Sequence, residues 1–412
     1  MIEFIPRMKN NVCVFFTFKI IKNRAIYLLV FIVFIIFFCI KGKPISYQKT
    51  LMYKTYRTSC QKKEDTGSVN QLTNYDIKQK ILQINSKETV YNSEKFGPLL
   101  NDSVIILIQV HKRFDNLCQL IKSLEVVENI NSTLLVFSHD YYDEDIINLE
   151  LKITFTKFMI IYFPYSIQSN PDKFPGVTPG DCEWNMSVYK AKRKKCNMYQ
   201  HPDSFGHYRQ GQIAQVKHHW WWKTVRVFDG LQYTKNHNGL FLFLEEDLFV
   251  TRDLLHVLKL MNEKAKVVCS DCDILFLGSY RENYAFIDWI PDQVKIHNFN
   301  SLGFAIGRSF WDQLKECASV FCTFDDYNWD WSLRYVMQKC FKKQTKVLAA
   351  SGARVFHTGQ CGLHHTMKTD CSVEKPMQVI NNFLEKVQNK LFPKELEFVS
   401  GDYVTPLVTR AW

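Results

Sequence analysis

The sequence has neither a GxxxxGK[ST] run nor a GxGxxG run opening a helix. No glycine-rich loop is therefore available to wrap phosphates in backbone N–H groups, and a bound nucleotide would need a metal to balance its charge. No second CxxC accompanies Cys269-Ser-Asp-Cys272 at finger spacing, which makes structural zinc the weaker use of these cysteines. A domain-wide basic excess is missing too. The net charge of +11 comes from residues 1–63, where 12 Lys/Arg face the single acid Glu3, and the remainder balances 40 bases with 40 acids. That pattern gives no nucleic-acid footprint. Internal repeats are absent and low complexity is slight. With 46% hydrophobic and 15% aromatic residues over 412 positions, the chain is too apolar for disorder and long enough for one large core or two ordinary ones.

The basic excess surrounds "AIYLLVFIVFIIFFCI", Ala25 to Ile40, an uncharged run of sixteen residues. A membrane span takes about 17–25 residues, so this one is short but serviceable with snorkelling flanks. A signal-peptide core or a buried helix are the alternatives, yet no small-x-small cleavage pattern follows. The expected organisation is a cytoplasmic tail over 1–24, an uncleaved signal anchor over 25–40, a polar Lys-rich stem over 41–95 and a lumenal globular part over 96–412. Lysines and arginines on both sides leave the positive-inside rule undecided. Sequons at Asn101, Asn131 and Asn185 favour a lumenal C-terminal part, and cysteine argues more strongly. Nine of the thirteen cysteines lie after residue 180, a density that fits an oxidising compartment.

From residue 104 the pattern becomes that of an α/β domain. "VIILIQV" (104–110) is a continuous apolar, β-branched run, as expected of a strand covered on both faces. Leu117, Leu120, Ile121, Leu124 and Val127 then recur at helical spacing. "TLLVFS" (133–138), "FMIIYF" (158–163), "LFLFL" (240–244) and "ILFLG" (274–278) are further strands, in a sheet that is parallel at least in its first half. Ligands gather at the carboxyl ends of such strands. Those ends carry "HKR" (111–113), "SHD" (138–140) and "EED" (245–247). "KHHWWWK" (217–223) reads as helical, and its three Trp cannot share one face.

Three stretches can carry chemistry. Glu245, Glu246 and Asp247 either mark a solvated strand end before a helix starting near Asp253, or hold a hard divalent cation. "CTFDDYNWDWSLRY" (322–335) is either an acidic helix start capped by Asp325, Asp326 or Asn328, or a sugar platform whose aromatics stack on pyranose rings while one carboxylate takes an acceptor proton. "RVFHTGQCGLHH" (354–365) places His357 where a neutral imidazole can join the same cation, and a histidine beside a carboxylate favours manganese over calcium.

Read together with "QVHKR", "VFSHD", "FPGVTPGDC", "YQHPDSFGHYRQ" and "LFLEED", these stretches resemble the N-acetylglucosaminyltransferase II family across residues 105 to about 371. The resemblance implies a type II Golgi membrane protein with a GT-A glycosyltransferase fold, a Rossmann-like mixed sheet flanked by helices. It implies inverting transfer of GlcNAc from UDP-GlcNAc, with Mn2+, to the 2-hydroxyl of the α-1,6-linked mannose of an N-glycan core. By the same resemblance Gln109, Val110, His111, Lys112, Arg113 and Asp140 surround the donor, as do Gln215, Val216, Lys217, His218 and His219. Asp247 and His357 bind the metal, Asp330 is the general base, and Trp329 lies beside the acceptor mannose. The implied disulfides are Cys182–Cys196, Cys269–Cys272, Cys317–Cys340 and Cys361–Cys371. No nucleic-acid partner is implied, and a homodimer is allowed.

The chain departs from the family at Leu248, where the family has His, in the segment after "ILFLGSY" that holds acceptor contacts around Arg281 to Tyr284, and in the C-terminal tail. The family pairs the counterpart of Cys322 with a C-terminal cysteine that this chain lacks, so Cys322 is expected free or paired with Cys60 or Cys118. The competing readings are an N-acetylglucosaminyltransferase I-like activity on the other arm, a membrane-anchored lectin without turnover, and a metal phosphohydrolase. A single acidic cluster gives little for a two-metal site, which disfavours the last.

Overall fold

The computed structural model describes residues 72–279, 289–362 and 371–400. The expected anchor, most of the stem, the 281–284 acceptor segment, and His364 and His365 lie outside the described residues. Among the described residues no helix is long and apolar enough to cross a membrane.

The sheet starts with β1 (Ile105–Val110), β2 (Leu134–His139), β3 (Lys157–Tyr162) and β4 (Phe241–Glu245), parallel in the order β4-β1-β2-β3. Every residue of β1, β2 and β3 is buried. The continuous apolar runs follow from that, because a strand covered on both faces has no solvent side to alternate with. The later strands are β5 (Leu248–Val250), β6 (Cys272–Phe276), β7 (Gly278–Ser279), β8 (Gln293–His297), β9 (Phe304–Ile306), β10 (Lys346–Ala350), β11 (Val355–His357) and β12 (Glu397–Val399). β9 runs antiparallel between β4 and β6, and beyond it β10, β8 and β12 complete a nine-stranded mixed sheet. A second sheet has the order β5-β11-β7, with His357 paired to Leu248. This register sets His357 against the residue that follows Asp247.

The helices that matter here are α1 (Asn74–Lys87), α2 (Phe114–Glu125), α3 (Glu144–Glu150), α4 (Gly211–Val225), α5 (Leu254–Val268), α6 (Arg308–Glu316), α7 (Ala318–Phe324), α8 (Trp329–Lys339) and α9 (Glu374–Val387). α2 buries Leu117, Leu120, Ile121 and Leu124, the spacing read from the sequence. α1 is a correction. It falls within the expected stem, yet Ile77 and Ile81 are buried and Asn85 exchanges hydrogen bonds with the backbone of Tyr162 at 2.7 and 2.8 Å. Thr73 and Asp76 close a capping box at its start. Tyr91 bridges to Phe158 on β3, so folded structure begins well before residue 96.

Asp253 does precede α5, but its side chain caps nothing. It pairs with Arg354 at 2.9 Å, both side chains fully buried, and accepts from Phe392 N at 3.1 Å. Neither Asn328 nor Asp325 caps α8 or α7 through a side-chain bond. All four expected disulfides are present, so Cys269, Cys272, Cys361 and Cys371 are not thiolates and zinc falls away. Cys322 is free and exposed, and Cys118 is disulfide-bonded elsewhere. The asparagines of all three sequons are exposed.

Candidate functional site

The parallel register pairs Gln109 with Glu245, so the ends of β1 and β4 leave the sheet side by side, with the end of β2 next to them. Glu246 N donates to Gln109 O at 2.9 Å, carrying the pairing one residue further. The Glu246 carboxylate then turns back to accept the backbone N–H groups of His111 at 2.8 Å and Arg113 at 3.2 Å, with Lys112 N at 3.4 Å. The middle acid of the triplet is thus the anchor of the 111–113 loop.

Beyond these strand ends lies a cavity of about 550 Å³. Of the expected donor residues, Gln109, His111, Lys112, Arg113, Asp140, Gln215 and Val216 line it. Tyr141, Ile167, Gln168, Gln212, Glu245, Glu246 and Gly362 line it as well, most of them without any mark in the residue pattern. Tyr141 was within reach of inference, since it follows "SHD"; Lys112 Nζ sits 3.8 Å from its ring centre.

Four expected donor residues point elsewhere. Val110 is fully buried in β1. Lys217 donates to Asp325 O, and His218 lies 2.9 Å from Asp326. His219 is buried behind the wall, 2.8 Å from Ser138 Oγ and 3.6 Å from Asp140. Asp140 also meets His111 Nδ1 at 2.5 Å and Gln215 Nε2 at 3.0 Å. Burial alone would raise the Asp140 carboxyl, but the charge and hydrogen bonds of His111 and His219 hold it well below the usual range. Burial in turn takes His219 down to about 4.

Asp247 is buried, and its carboxylate meets His357 Nε2 at 3.1 Å and the Arg113 guanidinium. Its backbone is pinned by Thr358, whose N and Oγ1 both donate to Asp247 O at 2.8 Å. Burial would raise the Asp247 carboxyl; His357 and Arg113 bring it instead to about 2. Burial and the Asp247 charge push Glu245 up. Asp247 Oδ1 is buried with no hydrogen-bond partner. Gly359 keeps the space beside the other carboxylate oxygen open, because a Cβ there would crowd Asp247 Oδ2 and lie 2.9 Å from His357 Nε2. A carboxylate with one oxygen unsatisfied and an imidazole beside its other oxygen fit a divalent cation. Among the described residues no group of three His, Cys, Asp or Glu converges, so such a cation would complete its shell with phosphate and water oxygens.

Asp330 lies in the first turn of α8, where its carboxylate accepts from Trp331 N at 2.8 Å. Burial raises its pKa. Trp329 is 5% exposed and stacks at 4.8 Å on Trp220, which also faces Phe243 and Phe321. A ring so enclosed packs the core and offers little face to a sugar; neighbouring Trp331 is half-buried, with the Arg334 guanidinium over its ring. Trp221 packs on Trp311 and Phe321, and Trp222 on Phe163, so no member of the Trp triplet lines the cavity.

Comparison with known proteins gives the same direction. The pig α-1,6-mannosyl-glycoprotein 2-β-N-acetylglucosaminyltransferase is 37% identical over 320 residues, covering 77% of this chain and 71% of that protein. The human protein of that name is 36% identical over the same shares, and the Arabidopsis thaliana one is 32% identical over 66% of this chain and 62% of its own. Solved structures are more distant: S. aureus TarS 1–349 aligns at 10% identity over 70% of this chain and 72% of that one, with a TM-score of 0.35, too low to argue from. Residues 78–406 match the sequence profile of N-acetylglucosaminyltransferase II. With that match spanning the strand ends, the cavity, Asp247, His357 and Asp330, the chain belongs to the N-acetylglucosaminyltransferase II family.

Proposed function

We propose that this chain transfers GlcNAc from UDP-GlcNAc to the 2-hydroxyl of the α-1,6-linked mannose of an N-glycan core, with inversion, on a GT-A scaffold. The observation that carries the reading is the acidic strand end: Asp247, with Oδ2 beside His357 and Oδ1 buried without a partner, lines the same cavity as His111, Lys112 and Arg113. Those three residues supply positive charge and donors to a diphosphate. Asp247 and His357 would hold Mn2+, which when bound stabilises the charge of the departing diphosphate and makes a protonated leaving group unnecessary.

Asp330 acts on the acceptor. Its carboxylate takes the proton of the mannose 2-hydroxyl as that oxygen forms the new bond to sugar C1, while the bond from C1 to the phosphate oxygen breaks on the opposite face. Single displacement of this kind inverts the anomeric centre, as in inverting glycosidases. The oxidising compartment implied by four disulfides, together with the apolar run at 25–40, supports a Golgi lumenal location behind a type II anchor.

The test uses the full-length protein with UDP-GlcNAc, Mn2+ and N-glycan acceptors open at one arm or the other, with linkage and anomer determined in the product. GlcNAc on the α-1,6 arm in β linkage is expected, with turnover lost in Asp330→Asn. Product on the α-1,3 arm, binding without UDP release, or full activity of Asp330→Asn would overturn the proposal.

A further inference from the structure

Two motifs that stand out in the sequence meet outside the cavity. The buried Lys217 of α4 donates to Asp325 O, and His218 Nε2 lies 2.9 Å from Asp326 Oδ1. The other Asp326 oxygen takes Arg209 Nε, at the end of the insertion stapled by Cys182–Cys196. That insertion is tied to the same place twice more, through Ser204 N to Phe324 O at 3.2 Å and Ser204 Oγ to Thr323 O at 3.1 Å. Within the 325–328 loop, Tyr327 N donates to Asp325 Oδ1 at 2.8 Å, and Ser332 Oγ donates to Asn328 O at 2.8 Å to fasten the loop to the first turn of α8. Asp330 belongs to that turn.

One carboxylate therefore meets side-chain nitrogens from two separate elements, four residues before the base. The pairs are half-open, with the His218 side chain 40% exposed and that of Arg209 26% exposed, a setting in which ion pairs contribute little to stability. Geometry is the larger stake, since misplacing a reacting group by about 1 Å can cost on the order of 10²-fold in rate.

We propose that Asp326 is a positioning residue for Asp330, holding the 325–328 loop between the stapled insertion and the donor-cavity helix. It couples the docking of both elements to the placement of the base, and it rests on the reading of Asp330 as that base. The experiment is Asp326→Asn in the full-length protein, with kcat, the KM for UDP-GlcNAc, UDP affinity in Mn2+ and thermal unfolding measured together. The expected result is kcat lower by about 10–100-fold with UDP affinity and donor KM within about twofold of wild type. Asp326→Glu, which keeps the carboxylate that Arg209 and His218 meet, recovers most of the loss. An unchanged kcat, or parallel loss of kcat and UDP affinity, overturns the proposal. If Asp326→Asn does not fold, Arg209→Lys decides, with a kcat loss at constant donor KM expected and wild-type kcat fatal. Asp330→Asn is assayed alongside: retained activity there removes the base reading itself, whereas an inactive Asp330→Asn beside an unaffected Asp326→Asn removes only the positioning role.

Discussion

Glu246→Ala is the sharpest test of how the cavity is built. The substitution removes the acceptor of His111 N at 2.8 Å and Arg113 N at 3.2 Å, and of Lys112 N at the weak distance of 3.4 Å. Hydrogen bonds to a charged group are worth about 1.5–3 kcal/mol each, so the two good ones set an upper bound of about 3–6 kcal/mol. His111 and Lys112 are exposed and Arg113 is half-buried, so water can replace part of what is lost. Roughly half the bound, about 1.5–3 kcal/mol, remains as the cost of re-ordering the loop when a nucleotide binds, which is about 10–100-fold in affinity. Calorimetry of UDP with Mn2+ measures it directly. Glu246→Gln keeps one acceptor oxygen for the two short bonds and should lose about tenfold or less. An Ala variant that binds UDP within about twofold of wild type would refute the claim that this side chain shapes the donor site.

Gly359→Ala places a methyl against Asp247 and His357, and paramagnetic titration of Mn2+ with UDP should show at least about tenfold weaker binding, with the crowding costing about 1–3 kcal/mol of stability. Asp330 works as a base only when ionised, and burial raises its pKa above 3.8, so kcat is present above that raised value and is lost as pH falls through it. A kcat–pH profile should show this acid limb above pH 3.8, and a limb at or below it counts against the assignment. Arg354→Met leaves the fully buried Asp253 unpaired and should cost about 3–5 kcal/mol in denaturant unfolding, while adding Asp253→Leu should restore much of it.

The parts of the fold that were legible in the sequence are those where one physical demand fixes a whole segment. A strand covered on both faces must be apolar throughout, so β1 to β4 announced themselves, and the leucine spacing of α2 did the same. α1 was not legible, because a helix that buries only Ile77 and Ile81 looks as polar as a stem. Glu246 was hidden for a different reason: its partners are backbone N–H groups 133–135 residues away, and backbone donors leave no trace in residue identity. Disulfide pairing was available only through family resemblance, since spacing does not determine connectivity.

The largest misreading, "QVKHHWWWK", shows the limit of treating a motif as one site. Consecutive residues of an α-helix point about 100° apart, so five neighbours cannot converge on one ligand. On α4 Gln212, Gln215 and Val216 face the cavity, Lys217 and His218 face the 325–328 loop, His219 backs Asp140, and Trp220 enters the core. Each residue is constrained by a different neighbour, and the run looks peculiar because four demands overlap in it. The consequence is separable by measurement. Substitutions at Gln215 should act on donor affinity and those at His218 on turnover, although the two positions are three residues apart on one helix.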